Sequence, residues 1–204
     1  MDIICLDLEG VLIPEIWINV AEKTGIEKLR LTTREVSDYD VLMRGRLKIL
    51  KERGLTLADI QDVIGTMDPL PGAKEFLENL RSKTQVVILS DTFSEFAQPM
   101  MRKLGWPTIF CNDLQVDSQG MITDYRMRQY DGKKKAILGL RSMGFRTFAA
   151  GDSYNDLSMI HTADSGALFR APANILEEEP DLRLATTYQE FMEIIDDFLA
   201  AGKA

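Results

Sequence analysis

Three short, mainly apolar runs constrain the fold of this chain more than any other feature of its sequence. They occupy residues 3–6, 85–89 and 147–150, and a fourth run occupies residues 165–169. Runs of this length without polar alternation are typical of strands that are buried on both faces of a parallel sheet. Helical patterns separate the runs everywhere outside residues 15–68. The sequence therefore predicts an α/β fold built on a doubly wound parallel sheet with right-handed crossovers.

The segment that follows the first strand has a different pattern. Apolar residues recur in it at helical spacing in three stretches, and no strand pattern interrupts them. Two prolines and a glycine then mark a boundary at residues 69–72. We therefore predict a small helical domain of residues 15–68, inserted into a core of residues 1–14 and 69–204.

The composition excludes several classes of function. The net charge of −8 argues against nucleic-acid or anionic-membrane partners, because both require a basic face. No apolar run approaches the ~18 residues of a membrane span, and no charged-then-apolar leader opens the chain. Cys5 and Cys111 lie in apolar runs, which is typical of core thiols in a reducing compartment. We expect a soluble, cytoplasmic protein with a small-molecule substrate, and the sequence leaves open whether it forms a homodimer.

The single histidine of the chain, His161, limits the chemistry further. A metal site with two histidines is impossible, and a Ser-His-Asp triad would have to use this one residue. It lies in a helical pattern, where a surface or packing role is expected. Any chemistry therefore falls on carboxylates, hydroxyls and lysines.

Each of the three main predicted strands ends in polar residues. The carboxyl ends of parallel strands meet at one edge of a sheet, so these side chains can converge although the sequence separates them. Taken one at a time, such residues commonly cap the next helix. Capping does not readily explain all three together with the consecutive lysines at 133–135. The residues are Asp7 and Glu9, then Ser90, Asp91 and Thr92, then Asp152, Asn155 and Asp156.

This set of side chains suits phosphoryl transfer. Asp7 and Asp152 supply the hard oxygens that Mg²⁺ prefers, and a carboxylate beside such a cation can attack phosphorus to form an aspartyl-phosphate. Ser90 and a lysine can hold the phosphoryl oxygens. Glu9 is placed to give a proton to the leaving alkoxide and then to take one from the next acceptor.

Only one of the three consecutive lysines is expected to face such a site. Neighbouring residues of a helix point about 100° apart. We favour Lys133, with Lys134 as the second choice.

The order of these residues is similar to the four motifs of the haloacid dehalogenase superfamily. The corresponding stretches, between residues 7 and 156, are D-L-E-G-V, S-D-T, a lysine and G-D-S-Y-N-D. The helical insertion resembles the cap of the phosphoserine phosphatase subgroup. Within that subgroup, the longer stretches D-L-E-G-V-L-I-P-E-I-W, S-D-T-F-S-E-F and A-A-G-D-S-Y-N-D are similar to bacterial enzymes that act both as phosphoserine phosphatases and as phosphoserine:homoserine phosphotransferases.

The resemblance implies an Mg²⁺-dependent enzyme that hydrolyses O-phosphoserine through an aspartyl-phosphate on Asp7 and transfers the phosphoryl group to homoserine. It assigns Glu15 to the ammonium of the substrate and Arg46 to its carboxylate. The pair suits an amino acid, because a guanidinium grips a carboxylate bidentately. The resemblance further implies Asp7, Glu9 and Lys133 as catalytic residues, Asp7, Glu9, Asp152 and Asp156 at the metal, and Ser90, Asp91, Thr92, Lys133, Lys134 and Asn155 at the substrate.

One position departs from the superfamily. Most of its phosphatases carry Asp where this chain has Glu9, and the extra methylene moves the carboxyl group by about 1.5 Å. The partition of the phosphoryl group between water and other acceptors therefore stays open. So does the question of whether Glu9 would contact the metal through its side chain or its backbone.

Two other functions stay open. The enzyme could be a phosphatase for a different small phosphomonoester. A receiver-type signalling module also combines a phosphorylated Asp, Mg²⁺, a hydroxyl and a lysine on a doubly wound sheet. Such a module would carry its phosphoacceptor after a later strand and would lack the helical insertion.

Overall fold

Seven strands form one sheet in the computed structural model of the chain, which describes residues 1–32, 35–36 and 38–202. They are β1 (Asp2–Leu6), β2 (Gln85–Phe93), β3 (Ile109–Val116), β4 (Ile122–Arg126), β5 (Arg146–Gly151), β6 (Ser165–Phe169) and β7 (Arg183–Ala185). Their order across the sheet is β4-β3-β2-β1-β5-β6-β7, and every neighbouring pair is parallel except β3 and β4. The predicted α/β fold with a mainly parallel sheet is confirmed.

Nine α-helices and one short 3₁₀ helix, Glu27–Arg30, lie between and after these strands in the described part of the chain. The α-helices are α1 (Ile16–Thr24), α2 (Tyr39–Arg53), α3 (Leu57–Gly65), α4 (Ala73–Lys83), α5 (Ser94–Lys103), α6 (Gly132–Ser142), α7 (Tyr154–Thr162), α8 (Ala173–Glu178) and α9 (Tyr188–Ala201). None of the described helices is both long and apolar enough to span a membrane.

The central strand β1 is apolar from Ile3 to Leu6 because helices cover both faces of the sheet. Ile4 belongs to a hydrophobic cluster that contains Phe191 of α9, whereas Cys5 belongs to a second cluster that contains Ile137 of α6. Successive side chains of a strand point to opposite faces, so a strand buried on both faces needs an apolar residue at every position. This burial is the physical origin of the unbroken apolar run.

Strand β2 is longer than its apolar run predicts. The sequence indicates an end at Leu89, but in the structure the strand continues to Phe93. The pairing with β3 is irregular in this extension, since Leu89 pairs with Phe110 and Phe93 with Asn112. Such irregularities re-aim side chains next to functional sites. Here they lie at the predicted phosphoryl-binding residues 90–92.

The helices between β1 and α4 pack onto the rest of the molecule. Trp17 of α1 meets Phe96 of α5 edge to face, with ring centroids 5.4 Å apart. The side-chain amide of Gln61 in α3 donates a 2.7 Å hydrogen bond to the carbonyl of Glu95 in α5. The helical structure of this segment agrees with its sequence pattern, and the boundaries of the inserted domain at residues 15–68 remain a prediction.

The antiparallel hairpin of β3 and β4 also contacts the inserted helices. The Tyr125 hydroxyl donates a 2.6 Å hydrogen bond to Asp40 of α2, and the backbone N–H of Leu57 in α3 donates to the carbonyl of Gly120 in the hairpin turn. Gly120 has a φ of 81°, a conformation that favours glycine. The turn at residues 117–120 therefore positions the hairpin against the helices.

Candidate active site

Three carboxylates gather at the carboxyl ends of β1 and β5. Asp7, Asp152 and Asp156 each place one oxygen so that all three lie within 4.8 Å of one another. Asp7 directly follows β1, and its N–H donates to the carbonyl of Ala150 in β5, which continues the pairing of the two strands. A set of hard oxygens at this spacing suits a divalent cation such as Mg²⁺.

Lys133 lies against this carboxylate group. Its ammonium is 2.9 Å from Asp7 Oδ1, 2.7 Å from Asp156 Oδ1 and 3.9 Å from Asp91 Oδ2. Burial alone would lower the pKa of Lys133, but the three carboxylates outweigh it and raise that pKa well above its usual range. The side chain is therefore a buried, permanent positive charge. Lys134 and Lys135, on the same helix, are exposed.

Two glycines make room for the carboxylates. A Cβ at Gly151 would lie 2.1 Å from the carboxyl carbon of Asp156, and one at Gly10 would lie 2.4 Å from that of Asp152. Gly10 also has a φ of 75°. Both positions therefore require glycine for space, and Gly10 requires it for backbone conformation as well.

The carboxylate group carries more negative charge than Lys133 neutralises. Burial, followed by the charge of Asp156, raises the pKa of Asp7 well above its usual range, although Lys133 opposes this. The same two causes raise the pKa of Asp152 to about 7. A divalent cation would supply the missing positive charge, so the residues present fit a metal.

Glu9 belongs to a second group of charged residues, which also contains Glu15 and Arg46. Its Oε2 accepts a 2.8 Å hydrogen bond from the N–H of Ile16, one of the donors left free at the start of α1. Burial and the neighbouring charge of Glu15 raise the pKa of Glu9 to about 8. Its carboxylate does not belong to the group of three carboxylates found among the described residues. Glu9 therefore holds a proton near neutral pH.

Arg46 supplies the positive charge of this second group. The side chain is only 7% exposed, lies over the ring of Trp17 at 4.5 Å, and donates a 2.6 Å hydrogen bond to the carbonyl of Leu31. Its Nε is a buried polar atom without a hydrogen-bond partner in the described residues. Burial lowers the pKa of Arg46 to about 10, so the guanidinium remains charged at neutral pH. A buried, charged donor of this kind is costly unless a ligand satisfies it.

The residues at the end of β2 complete the arrangement. Ser90 and Thr92 are buried, and the Ser90 hydroxyl accepts a 3.2 Å hydrogen bond from the N–H of Thr92. The half-exposed carboxylate of Asp91 accepts a 3.1 Å hydrogen bond from the side-chain amide of Asn155, which is exposed. The predicted residues of β1, β2 and the β5–α7 connection therefore meet at one edge of the sheet.

Comparison with known proteins identifies the family. A family model described as haloacid dehalogenase-like hydrolase matches residues 1–164. The chain belongs to the haloacid dehalogenase-like hydrolases. Membership confirms the resemblance seen in the motifs and makes the chain an enzyme, which sets aside the receiver-type signalling module.

Individual relatives of this haloacid dehalogenase-like hydrolase cover nearly its whole length. It is 54% identical over 202 residues to a protein named phosphoserine phosphatase ThrH from Pseudomonas aeruginosa, covering 99% of this chain and 97% of the relative. It is 56% identical over 190 residues to a phosphoserine phosphatase from Pseudomonas syringae pv. tomato, covering 93% of this chain and 80% of the relative. A crystal structure of a phosphoserine phosphatase in apo form superposes with a TM-score of 0.77 at 24% identity, covering 94% of this chain and 98% of that one. At this identity the likeness concerns the fold alone.

Two residues of this hydrolase, Asn112 and Tyr39, lie next to Asp91 but belong to none of the sequence motifs. Asn112 of β3 donates a 3.0 Å hydrogen bond to the carbonyl of Asp91 and accepts one from the N–H of Arg128. Tyr39, the first residue of α2, places its hydroxyl 3.5 Å from the same carbonyl. A polar residue within an apolar strand is a weak signal for Asn112. Tyr39 carries no signal beyond being aromatic.

Proposed function

We propose that this enzyme hydrolyses O-phosphoserine through an aspartyl-phosphate on Asp7. The observation that carries the choice of substrate is Arg46, a buried guanidinium with an unused N–H, close enough to Glu9 and Glu15 for their charges to raise its pKa. An α-amino acid offers the matching groups, a carboxylate for the guanidinium and an ammonium for the carboxylates. The two Pseudomonas relatives are named phosphoserine phosphatases, which supports the same substrate.

In the proposed mechanism, the Asp7 carboxylate attacks phosphorus while the bond to the serine oxygen breaks. Lys133 balances negative charge beside the nucleophile, and Glu9, protonated near neutral pH, gives its proton to the departing oxygen. Glu9 then takes a proton from the water that hydrolyses the aspartyl-phosphate, which releases phosphate and restores Asp7. Mg²⁺, held by Asp7, Asp152 and Asp156, would supply positive charge to the phosphoryl oxygens.

The remaining predicted residues have proposed roles at the phosphoryl group. Ser90 and Thr92 would donate hydrogen bonds to its oxygens, and so would the side-chain amide of Asn155. Asp91 would contribute its backbone N–H, because its carboxylate repels a phosphate. Lys133 is proposed as the lysine contact, since Lys134 is exposed.

Substitution of Arg46 tests the substrate assignment. We expect Arg46→Ala to raise the KM for phosphoserine by about 10- to 150-fold relative to its effect on phosphoethanolamine, which lacks the carboxylate. The estimate follows from the about 1.5–3 kcal/mol typical of a hydrogen bond to a charged group. The measurement is steady-state phosphate release from both substrates. A broader screen of small phosphomonoesters tests the alternative that the enzyme prefers a different substrate.

Arg44→Ala is a matched control on the same helix, because Arg44 is exposed and pairs with Asp40 and Asp124 at the surface. It should change the two KM values by a similar small factor. Equal losses on both substrates in Arg46→Ala would remove the amino-acid assignment.

We further propose that homoserine accepts the phosphoryl group. Once serine leaves, Glu15 and Arg46 are free to bind a second amino acid with a hydroxyl, and Glu9 would serve as its base. Binding makes the attack effectively intramolecular, which lets an aligned hydroxyl compete with water. We expect phosphoserine with excess homoserine to yield phosphohomoserine beside free phosphate, detected by ³¹P NMR.

The control ligand for this experiment is 2-aminobutyrate, which keeps the ammonium and carboxylate but lacks the hydroxyl. It should inhibit hydrolysis without forming a new phosphorus species. Inorganic phosphate as the sole product at every homoserine concentration would refute the transferase activity and leave the phosphatase.

A further inference from the structure

Tyr39 brings a hydroxyl from the inserted helices to the edge of the candidate site. It is the first residue of α2, and its hydroxyl lies 3.5 Å from the carbonyl oxygen of Asp91 in β2. This is the one hydrogen bond of the phenol among the described residues, and its length is at the weak limit for an O–H donor. The donor is therefore poorly satisfied by the protein itself.

The Tyr39 hydroxyl is influenced by charged residues from two parts of the candidate site. Burial and the charge of Asp91 raise the pKa of Tyr39 well above its usual range, while the charge of Arg46 opposes the shift and that of Glu9 adds to it. The phenol therefore stays protonated and is a donor. The charges of Asp91, Arg46 and Glu9 all act on the hydroxyl. Asp91 lies among the predicted phosphoryl-binding residues, whereas Arg46 and Glu9 belong to the second group of charged residues.

Tyr39 and Arg46 also share one face of α2. They are seven residues apart, which is two helical turns, and the buried Met43 lies between them on that face. The influence is mutual, because Tyr39 is among the groups that raise the pKa of Arg46. The helix therefore directs both side chains toward the same region.

Packing explains the ring of Tyr39 but not its hydroxyl. The ring meets Tyr125 edge to face, with centroids 5.9 Å apart. Phenylalanine would make the same contact. Tyr39 is half-buried. A tyrosine hydroxyl withdrawn from solvent normally has a partner, so an incompletely used one on the helix face that it shares with Arg46 points to a ligand.

We propose that Tyr39 is a specificity-determining residue whose hydroxyl donates a hydrogen bond to the carboxylate of the amino acid held by Arg46. The inference rests on the proposed phosphoserine phosphatase function. It extends the recognition of the carboxylate from one donor side chain to two on the same helix.

The test compares Tyr39→Phe with Tyr125→Phe on two substrates. In Tyr39→Phe we expect the KM for phosphoserine to rise about tenfold, with little change in kcat and with the KM for phosphoethanolamine unchanged within about twofold. Tyr125→Phe removes the same atom from the neighbouring ring, but its hydroxyl is bound to Asp40 outside the site. That control should change both KM values by the same factor.

The phosphoethanolamine rate of Tyr39→Phe also reports whether the variant folds. Equal changes on both substrates, or an unchanged KM for phosphoserine, would overturn the role of Tyr39. If Arg46→Ala is selective for the carboxylate while Tyr39→Phe is not, the proposed function stands and only this inference fails. If the wild-type enzyme does not hydrolyse phosphoserine, both fail.

Discussion

Asp7→Asn is expected to lower the rate of phosphate release from phosphoserine by about 10³-fold or more. The amide is a poor nucleophile toward phosphorus, so the aspartyl-phosphate cannot form. The substitution also removes a charged oxygen from the group that Asp7 forms with Asp152 and Asp156. The measurement is the initial rate of phosphate release by the purified variant and by the wild-type enzyme under the same conditions.

The fold should survive this substitution. Lys133 keeps its 2.7 Å contact with Asp156, so its ammonium is not left unpaired in the core. A circular dichroism spectrum and a thermal melt check this. Asp164→Asn is the matched control, because Asp164 bonds Thr147 at the start of β5, away from the strand ends that carry the site. It should retain activity. A rate within tenfold of wild type for Asp7→Asn would exclude Asp7 as the nucleophile.

Removal of divalent metal is expected to abolish activity and to lower the melting temperature. The three carboxylates face one ammonium, so the bound cation would relieve repulsion that persists without it. A ligand present at 100 times its Kd stabilises the native state by about 2.7 kcal/mol. For a chain of this size that corresponds to roughly 5–10 °C. Activity and melting curves in chelator, and again after addition of Mg²⁺, measure both effects.

Asp152→Asn tests whether the effect of the metal on the melting temperature arises at this site. The variant should lose most of the Mg²⁺-dependent shift in melting temperature, whereas Asp164→Asn should keep it. Full activity in excess chelator, together with an unchanged melting curve, would show that no metal takes part.

The sequence predicts those parts of the fold in which burial produces a recognisable local pattern of apolar and polar residues. β1 is apolar from Ile3 to Leu6 because both of its faces are buried there, and Asp7 follows it because the strand ends there. By contrast, β7 and α8 have three and six residues. Such short elements show no period, and their conformation depends on the strands and helices beside them.

Within the site, local pattern identifies chemical groups but not their partners. Arg46 occupies a helical position where a charged residue is normally exposed, and its burial arises from contacts with Trp17 and Leu31, which lie outside α2. The hydrogen bond from Ile16 to Glu9 and the position of Tyr39 beside Asp91 likewise depend on how separate elements pack. Motifs constrain the residues near the proposed nucleophile, whereas these longer-range contacts decide the arrangement of the proposed substrate-binding residues.

The central place of β1 in the sheet has a consequence for synthesis of the protein. Ile3 pairs with Gln85 on one side and with Thr147 on the other, and both partners follow it in the chain, so β1 leaves the ribosome earlier and waits for both neighbours. At a translation rate of about 5–20 residues per second, that wait is on the order of ten seconds. During this time an apolar segment of the nascent chain lacks its native cover. Asp7 can meet Lys133 and Asp156 only after residue 156 has emerged, so the proposed phosphoryl transfer requires translation beyond that residue.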